Sequence, residues 1–244
     1  MPQLTNKTAL ITGGGSGIGL ATARLFLEEG ARVVIAGRDE VKLTGAAQAL
    51  KGGPRLAHFA ADVSKADQVQ NLVRRATEAL GRIDILVNNA GLNIKDRGIR
   101  QLTPASWDEL VRTNLDGCFY CIHAVLPQMI ERKDGLIINI SSVAGKRSGP
   151  LGGAGYNAAK FGVTALGICL GAEEKDSGIR VSNIYPGEVD TPILKNRPAP
   201  LTEEHRRKIL KAEDVASAVL FVASLPPHVA VPELVIKPTS QVYV

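Results

Sequence analysis

Tyr156 and Lys160 stand four positions apart in the small-residue run GAGYNAAKFG, which reads as helical. Residues i and i+4 project from one face of a helix, so the phenol and the ammonium address the same ligand. An isolated tyrosine titrates near about 10 and exchanges protons poorly at neutral pH, whereas a neighbouring cation favours the phenolate and lowers that value by about 1 to 3 units. Lys160 is expected to supply that cation. Such a phenol can serve as a general acid or base, giving a proton to or taking one from an oxygen of the bound ligand. The other tyrosines lack the arrangement: Tyr120 is followed at i+4 by Ala124, Tyr185 by Val189, and Tyr243 is next to last in the chain.

A second constellation is ALITGGGSGIGLATARLF, where an apolar strand runs into a glycine loop and opens a helix. Gly13, Gly17 and Gly19 follow TGxxxGxG rather than GxGxxG. Glycines here let the chain turn sharply, let backbone amides approach a pyrophosphate, and let the helix pack close to the strand. The helix N-terminus turns its unpaired N–H groups toward the phosphates. Gly13, Ser16, Gly17, Ile18 and Gly19 are therefore candidate cofactor contacts. A Walker loop would end in Gly-Lys-Ser/Thr, and Ile18-Gly19-Leu20 does not, which argues against nucleotide hydrolysis.

The tip of the second strand lies beside the adenosine ribose of a bound dinucleotide. It reads VVIAGRDE, with Gly37 where an acidic residue would bind the 2′-OH of NAD, and Arg38 next. An arginine there makes charge-assisted, bidentate bonds to a 2′-phosphate, so NADP is the expected cofactor and NAD the less favoured one. The alternative is a solvated Arg38 at a helix start that Asp39 caps. Asp62, followed by Val63 after the third strand, either reaches the adenine or caps the next helix.

These residues need a scaffold, and the chain supplies a regular one. Short apolar runs, TALITG, RVVIAG, LAHFAAD, IDILVNNAG, GLIINISS, IRVSNIYPG and ELVIKP, alternate with helical segments near 17–29, 39–51, 66–80, 104–131, 156–172 and 213–224. That alternation marks βα units, and right-handed crossovers wind them into a parallel sheet covered on both faces. Hydrophobic residues at 45% and aromatics at 4% suit a Val, Ile, Leu and Ala core. The expected fold class is α/β, with one doubly wound parallel sheet of about seven strands and a single domain over residues 1–244. The charged, proline-rich stretch 190–211, just after the sixth strand, is where a lid over the site would attach; an ordinary surface excursion is the alternative.

Other chemistries find little support. The 29 basic and 24 acidic residues are interspersed, so no nucleic-acid or membrane arm is expected, and no apolar run spans a bilayer. Three cysteines form no disulfide framework, and CFYC at 118–121 falls inside an apolar helix, so buried thiols are expected there rather than a redox pair. Four scattered histidines offer no metal site, no serine stands in GxSxG, and Trp107 reads as core. The start MPQLTNKTALITGGG has neither a basic n-region nor a cleavable apolar h-region, so a cytoplasmic location is expected.

Taken together, TGGGSGIG, NNAG at 88–91, Asn114 in RTNLDG, NISS, the YxxxK pair and PGEVDT resemble, in order, the motifs of the short-chain dehydrogenases/reductases. The resemblance covers most of the chain and implies a Rossmann fold with hydride transfer between a nicotinamide cofactor and a carbonyl or alcohol. It further implies that Ser142 bonds the substrate carbonyl, that Asn114 anchors a water linking Lys160 to solvent, and that Lys160 holds the nicotinamide ribose. Asn88 would line the cofactor cleft, Pro186 and Gly187 would border it, and Thr191 would reach the nicotinamide carboxamide. Two departures stand out. Ser142 and Tyr156 are 14 positions apart, slightly more than is usual in the family, through GPLGGAG; and the ending VIKPTSQVYV lacks the glycine pair common in the family.

Substrate recognition is expected from the loops around 92–98 and 143–153 and from the 190–211 segment. Lys95, Arg97, Lys146 and Arg147 in these loops read as solvated charges, with an anionic carbonyl substrate as the alternative. The apolar, small-residue faces of helices 104–131 and 156–172 suit pairing into a homodimer or homotetramer. A second functional class, a dinucleotide-binding sensor without turnover, competes with the reductase, and the intact Ser142, Tyr156 and Lys160 set favours the reductase.

Overall fold

The computed structural model describes residues 2–242; Met1, Tyr243 and Val244, the last two ending the unusual C-terminal tail, lie outside the described residues. The strands are β1 (Thr8–Thr12), β2 (Arg32–Gly37), β3 (Leu56–Ala60), β4 (Ile85–Asn88), β5 (Gly135–Ile140), β6 (Ile179–Pro186), β7 (Val189–Asp190), β8 (Leu210–Lys211) and β9 (Glu233–Ile236). Seven of them form one parallel sheet in the order β3-β2-β1-β4-β5-β6-β9, while β7 and β8 pair separately. The helices are α1 (Gly17–Glu28), α2 (Glu40–Leu50), α3 (Ala66–Leu80), α4 (Pro104–Val111), α5 (Gly117–Glu131), α6 (Ala154–Glu173), α7 (Glu203–Lys208) and α8 (Ala212–Ala223). This is the expected doubly wound α/β sheet.

Alternation along the central strands feeds two cores. Ala9 and Ile11 of β1 join Phe26 of α1 and Val215, Val219 and Val222 of α8 on one face. Leu10 points the other way, into a core with Val69 and Leu72 of α3, Cys121 and Val125 of α5 and Val163 of α6. Each such large side chain contributes about 1.5 to 3 kcal/mol on full burial, which is why the strands are apolar on both faces. Cys118 and Cys121 are buried thiols, as expected; burial pushes Cys118 up to about 12 and Cys121 higher. Trp107 departs from expectation, being 38% exposed at the surface of α4. Among the described residues no helix is long and apolar enough to cross a membrane.

The expected helix over 104–131 is interrupted by a π turn at Arg112–Asp116. Its cause is visible in Asn114, whose amide nitrogen donates to Leu110 O, four residues back, and to Leu92 O, both at 2.9 Å. A side chain that takes a carbonyl from the i−4 ladder widens the turn, and such bulges collect at functional sites. The 190–211 segment is not open coil. It holds a 3-10 turn at Pro192–Asn196, then α7, and is tied down by Arg197 to Glu188 at 3.0 Å and by Arg206 and Lys211 to Asp190 at 2.7 and 3.1 Å.

Three asparagines, Asn88, Asn139 and Asn183, stand side by side in register on β4, β5 and β6. Asn88 Nδ2 donates to Asn139 Oδ1 and Asn139 Nδ2 to Asn183 Oδ1, each at 3.0 Å. The rung is wholly buried, so each amide depends on its neighbour for partners that water cannot replace. Asn139→Ala strands a donor on Asn88 and an acceptor on Asn183, and is expected to lower the unfolding free energy by at least about 2 kcal/mol in urea titrations.

Candidate active site

The glycine loop forms because β1 ends in a residue that bonds two ways. Thr12 Oγ1 donates to Val87 O and accepts from Asn89 N and Ala90 N, each of the latter at 3.0 Å. Asn89 Nδ2 returns bonds to Thr12 O and Gly13 O at 2.9 and 3.3 Å, so the loop is fastened to the end of β4. Gly13 and Gly17 take φ of 65° and 53°, which side chains disfavour. A Cβ on Gly19 would lie 2.5 Å from Gly13 O, so this glycine serves the close packing of helix on loop. Ser16 is the N-cap of α1 and its hydroxyl makes no capping bond there.

At the carboxyl ends of the strands lies a cleft of about 570 Å³. Gly13, Ser16, Gly17 and Ile18 line one end of the expected set, Asn114, Ser142, Tyr156 and Lys160 the other, and Pro186, Gly187 and Thr191 border both. Val63 and Asn88 instead line a small adjoining chamber of about 10 Å³, together with Asn114, Cys118 and Lys160. Gly19, Arg38 and Asp62 are not in the cleft wall. Arg38 is exposed beside α2, whose N-cap is Asp39, accepting from Lys42 N at 3.0 Å. Asp62 Oδ1 accepts from Ser64 N at 3.0 Å, closing a turn ahead of α3, and the N-cap of α3 is Lys65.

Tyr156 enters from the first turn of α6, one turn before the buried Lys160. Lys160 Nζ donates to Ile140 O at 2.8 Å and lies 5.7 Å from the centre of the Tyr156 ring. Burial is the largest influence on both groups, lowering Lys160 to about 8 and raising Tyr156, against the opposing effects of the Ser142 hydroxyl and the Arg97 charge on the phenol. The expectation that Lys160 depresses the phenol is thus corrected: desolvation outweighs attraction, and the ammonium is directed at a backbone carbonyl. The phenol stays protonated at neutral pH.

Ser142 is the N-cap of a 3-10 turn at Val143–Gly145, and its oxygen accepts from Ala144 N at 3.1 Å. Its own hydrogen remains able to donate. Asn114 uses both amide hydrogens on carbonyls and accepts from Leu92 N at 3.2 Å, which holds the Gly91–Leu92 turn beside Lys160. A Cβ on Gly91 would lie 2.8 Å from Asn114 Oδ1, so a larger residue there would displace the Asn114 amide from its bonds to Leu92 and Leu110.

Several cleft residues escape sequence reasoning. Arg97, expected as a solvated charge, is 6% exposed and lines the cleft. Gln241, from the unusual tail, reaches the cleft and accepts from Glu188 N at 2.9 Å. Lys42, in the first turn of α2, lines the cleft beside the glycine loop. None of the three carried a local signal; each depends on how distant segments meet.

A lysine whose folded pKa of about 8 lies below its ordinary 10.5 stays charged at a cost below pH 8 and is relieved of it above 10.5. Stability of the wild type relative to Lys160→Met is therefore expected to rise from pH 7 to pH 10, as measured by urea unfolding of both proteins at each pH.

The model of the family described as short chain dehydrogenase matches residues 7–201. An uncharacterized oxidoreductase of Staphylococcus aureus (strain MRSA252) is 36% identical over 241 residues, covering 98% of this chain and 100% of the relative. Among solved structures, the closed form of a serine dehydrogenase complexed with NADP+ superposes with a TM-score of 0.88 at 31% identity, covering 97% of this chain and 96% of the other. A 3-ketoacyl-(acyl-carrier-protein) reductase from Brucella melitensis complexed with NADH gives 0.89 at 31% identity, covering 98% and 100%. With motif order, sheet topology and these likenesses in agreement, the chain belongs to the short-chain dehydrogenase/reductase family of oxidoreductases.

Proposed function

We propose that this oxidoreductase transfers a hydride between NADP(H) and a carbonyl or alcohol carbon, with Tyr156 as general acid and base. The observation that carries the reading is that one cleft joins the amino end of α1 and its glycine loop to Ser142, Tyr156 and Lys160. An elongated anionic dinucleotide would fit that continuity, with the N–H groups of α1 and its loop to hold the phosphates, Lys160 to hold the ribose and Thr191 the carboxamide. The bound nicotinamide supplies or accepts the hydride. Ser142 donates to the oxygen on which negative charge develops, and Tyr156 delivers the proton to it. Burial keeps that proton on the phenol at neutral pH, which suits carbonyl reduction. Lys160 keeps its positive charge below about pH 8 and stabilises the phenolate formed as the proton leaves.

The segment 190–211 acts in this reading as a lid, and the exposed Phe119 on α5 and Phe161 and Ile168 on α6 support pairing into a homodimer or homotetramer. The relatives' oxidoreductase character favours turnover over a sensor role.

The function is tested by the absorbance of reduced nicotinamide across a panel of ketones, aldehydes and quinones. Tyr156→Phe is expected to leave dinucleotide binding nearly intact and to lower turnover about a hundredfold or more; near wild-type turnover would remove Tyr156 from the mechanism. Arg38→Ala is expected to weaken NADPH about tenfold and to change NADH little, in direct cofactor titrations. Equal weakening of both would make Arg38 a surface residue and NAD the cofactor.

A further inference from the structure

Arg97 sits in the loop between β4 and α4, yet only 6% of it is exposed. Its Nε donates to Ile94 O at 2.7 Å, Nη1 to Leu151 O at 2.9 Å, and Nη2 to Asn196 O. These acceptors come from three separate loops, so the guanidinium is held in one place rather than swinging in solvent. Leu151 and Gly153 both lie in the loop between Ser142 and Tyr156, and Gly153, with φ of 79°, makes room where a Cβ would come within 2.6 Å of the Arg97 side chain.

All three acceptors are neutral carbonyls, and among the described residues no carboxylate pairs with Arg97. Glu188, the acid in the cleft wall, is already bound to Arg197 at 3.0 Å and His205 at 2.7 Å. A buried ion without a counter-ion is strongly unfavourable unless something else compensates it. Burial and the nearby charge of Arg197 accordingly hold Arg97 below the usual guanidinium range. A guanidinium has five N–H groups, of which three are engaged, leaving one on each terminal nitrogen. That pair matches the two oxygens of a carboxylate. Arg97 also lies in the same cleft as Ser142 and Tyr156, and its charge is felt by the Tyr156 phenol.

We infer that Arg97 is a substrate-binding residue, and that the substrate is an oxo or hydroxy acid whose carboxylate bridges the two remaining N–H groups while its reacting carbon lies at Tyr156. The inference rests on the hydride-transfer reading of the cleft for the second half of that statement; the carboxylate site itself stands on the buried cation. The carboxylate is untouched by the reaction and serves as the handle that orients the carbonyl.

Two readouts test it. Rates of reduced-nicotinamide oxidation are compared for acetoacetate and 4-oxopentanoate against their methyl esters, in wild type, Arg97→Met and Arg97→Lys. The wild type is expected to use the acids with at least tenfold higher kcat/KM than the esters. Arg97→Met should lower kcat/KM for the acids at least tenfold more than for the esters, and Arg97→Lys should keep part of the preference through its point charge. Separately, calorimetry follows butanoate and butanamide, which cannot be reduced at the acyl carbon here; butanoate should bind in preference to the amide and be weakened tenfold or more in Arg97→Met. Butanoate binding without turnover of any compound would keep the carboxylate site and overturn hydride transfer. Equal use of acids and esters by the wild type, with no preference for butanoate, would overturn the carboxylate site even if both variants failed to fold. An equal fall for acids and esters in Arg97→Met would reduce Arg97 to a latch between loops and overturn it as well.

Discussion

The bonds between Thr12 and Asn89 fix where the cleft can be. Thr12 ends β1 and Asn89 follows β4, the two neighbouring strands from which the crossovers leave in opposite directions. Their mutual bonds hold the glycine loop, which sets the position of the α1 N-terminus. The same bonds orient the turn through Ala90 and Gly91, against which Asn114 packs, and Asn114 in turn lies beside Lys160. Both ends of the cleft are thus referred to one point of the sheet. A binding surface for a long ligand needs that common reference, because a shift at either end would break its alignment with the other.

Around this point the protein keeps two cations out of water, Lys160 at 5% and Arg97 at 6% exposure. Both are held by backbone carbonyls rather than by acids. A carboxylate partner would quench the field that each projects into the cleft, whereas a carbonyl satisfies an N–H and leaves the charge in place. The cost is stability, and the sheet supplies the reserve. Strands buried on both faces and the asparagine rung across β4, β5 and β6 make the floor of the cleft stiff. The two uncompensated charges therefore sit on α6 and on the loop after β4, both anchored to that base.

The cleft is lined by the glycine loop, Ser142, Tyr156 and Lys160 and, around them, by walls that include Arg97, Gln241 and the loop before α6. Selectivity is expected to reside in those walls, since a fold shared by many oxidoreductases does not itself choose a substrate.

Most of the fold was legible from sequence. Strands buried on both faces are continuous apolar runs, helices carry their own period, and the glycine loop and YxxxK are local patterns whose geometry follows from backbone sterics alone. The helices expected at 66–80 and 213–224 fall within a residue of α3 and α8. The π turn at 112–116 was hidden, because it arises from Asn114 reaching Leu92 across 22 residues of chain. The pKa of Tyr156 was misjudged for a related reason. Spacing shows that a lysine is near, but the balance between attraction and desolvation depends on everything packed around the pair. Arg97 is the clearest case: its sequence neighbours Lys95 and Asp96 suggest a loop in water, and only the meeting of Ile94, Leu151 and Asn196 buries it. Local pattern determines what a residue can do within a turn of its own backbone, while burial, and with it the strength of every charge, is a property of segments that are distant in the chain and meet only in the folded state.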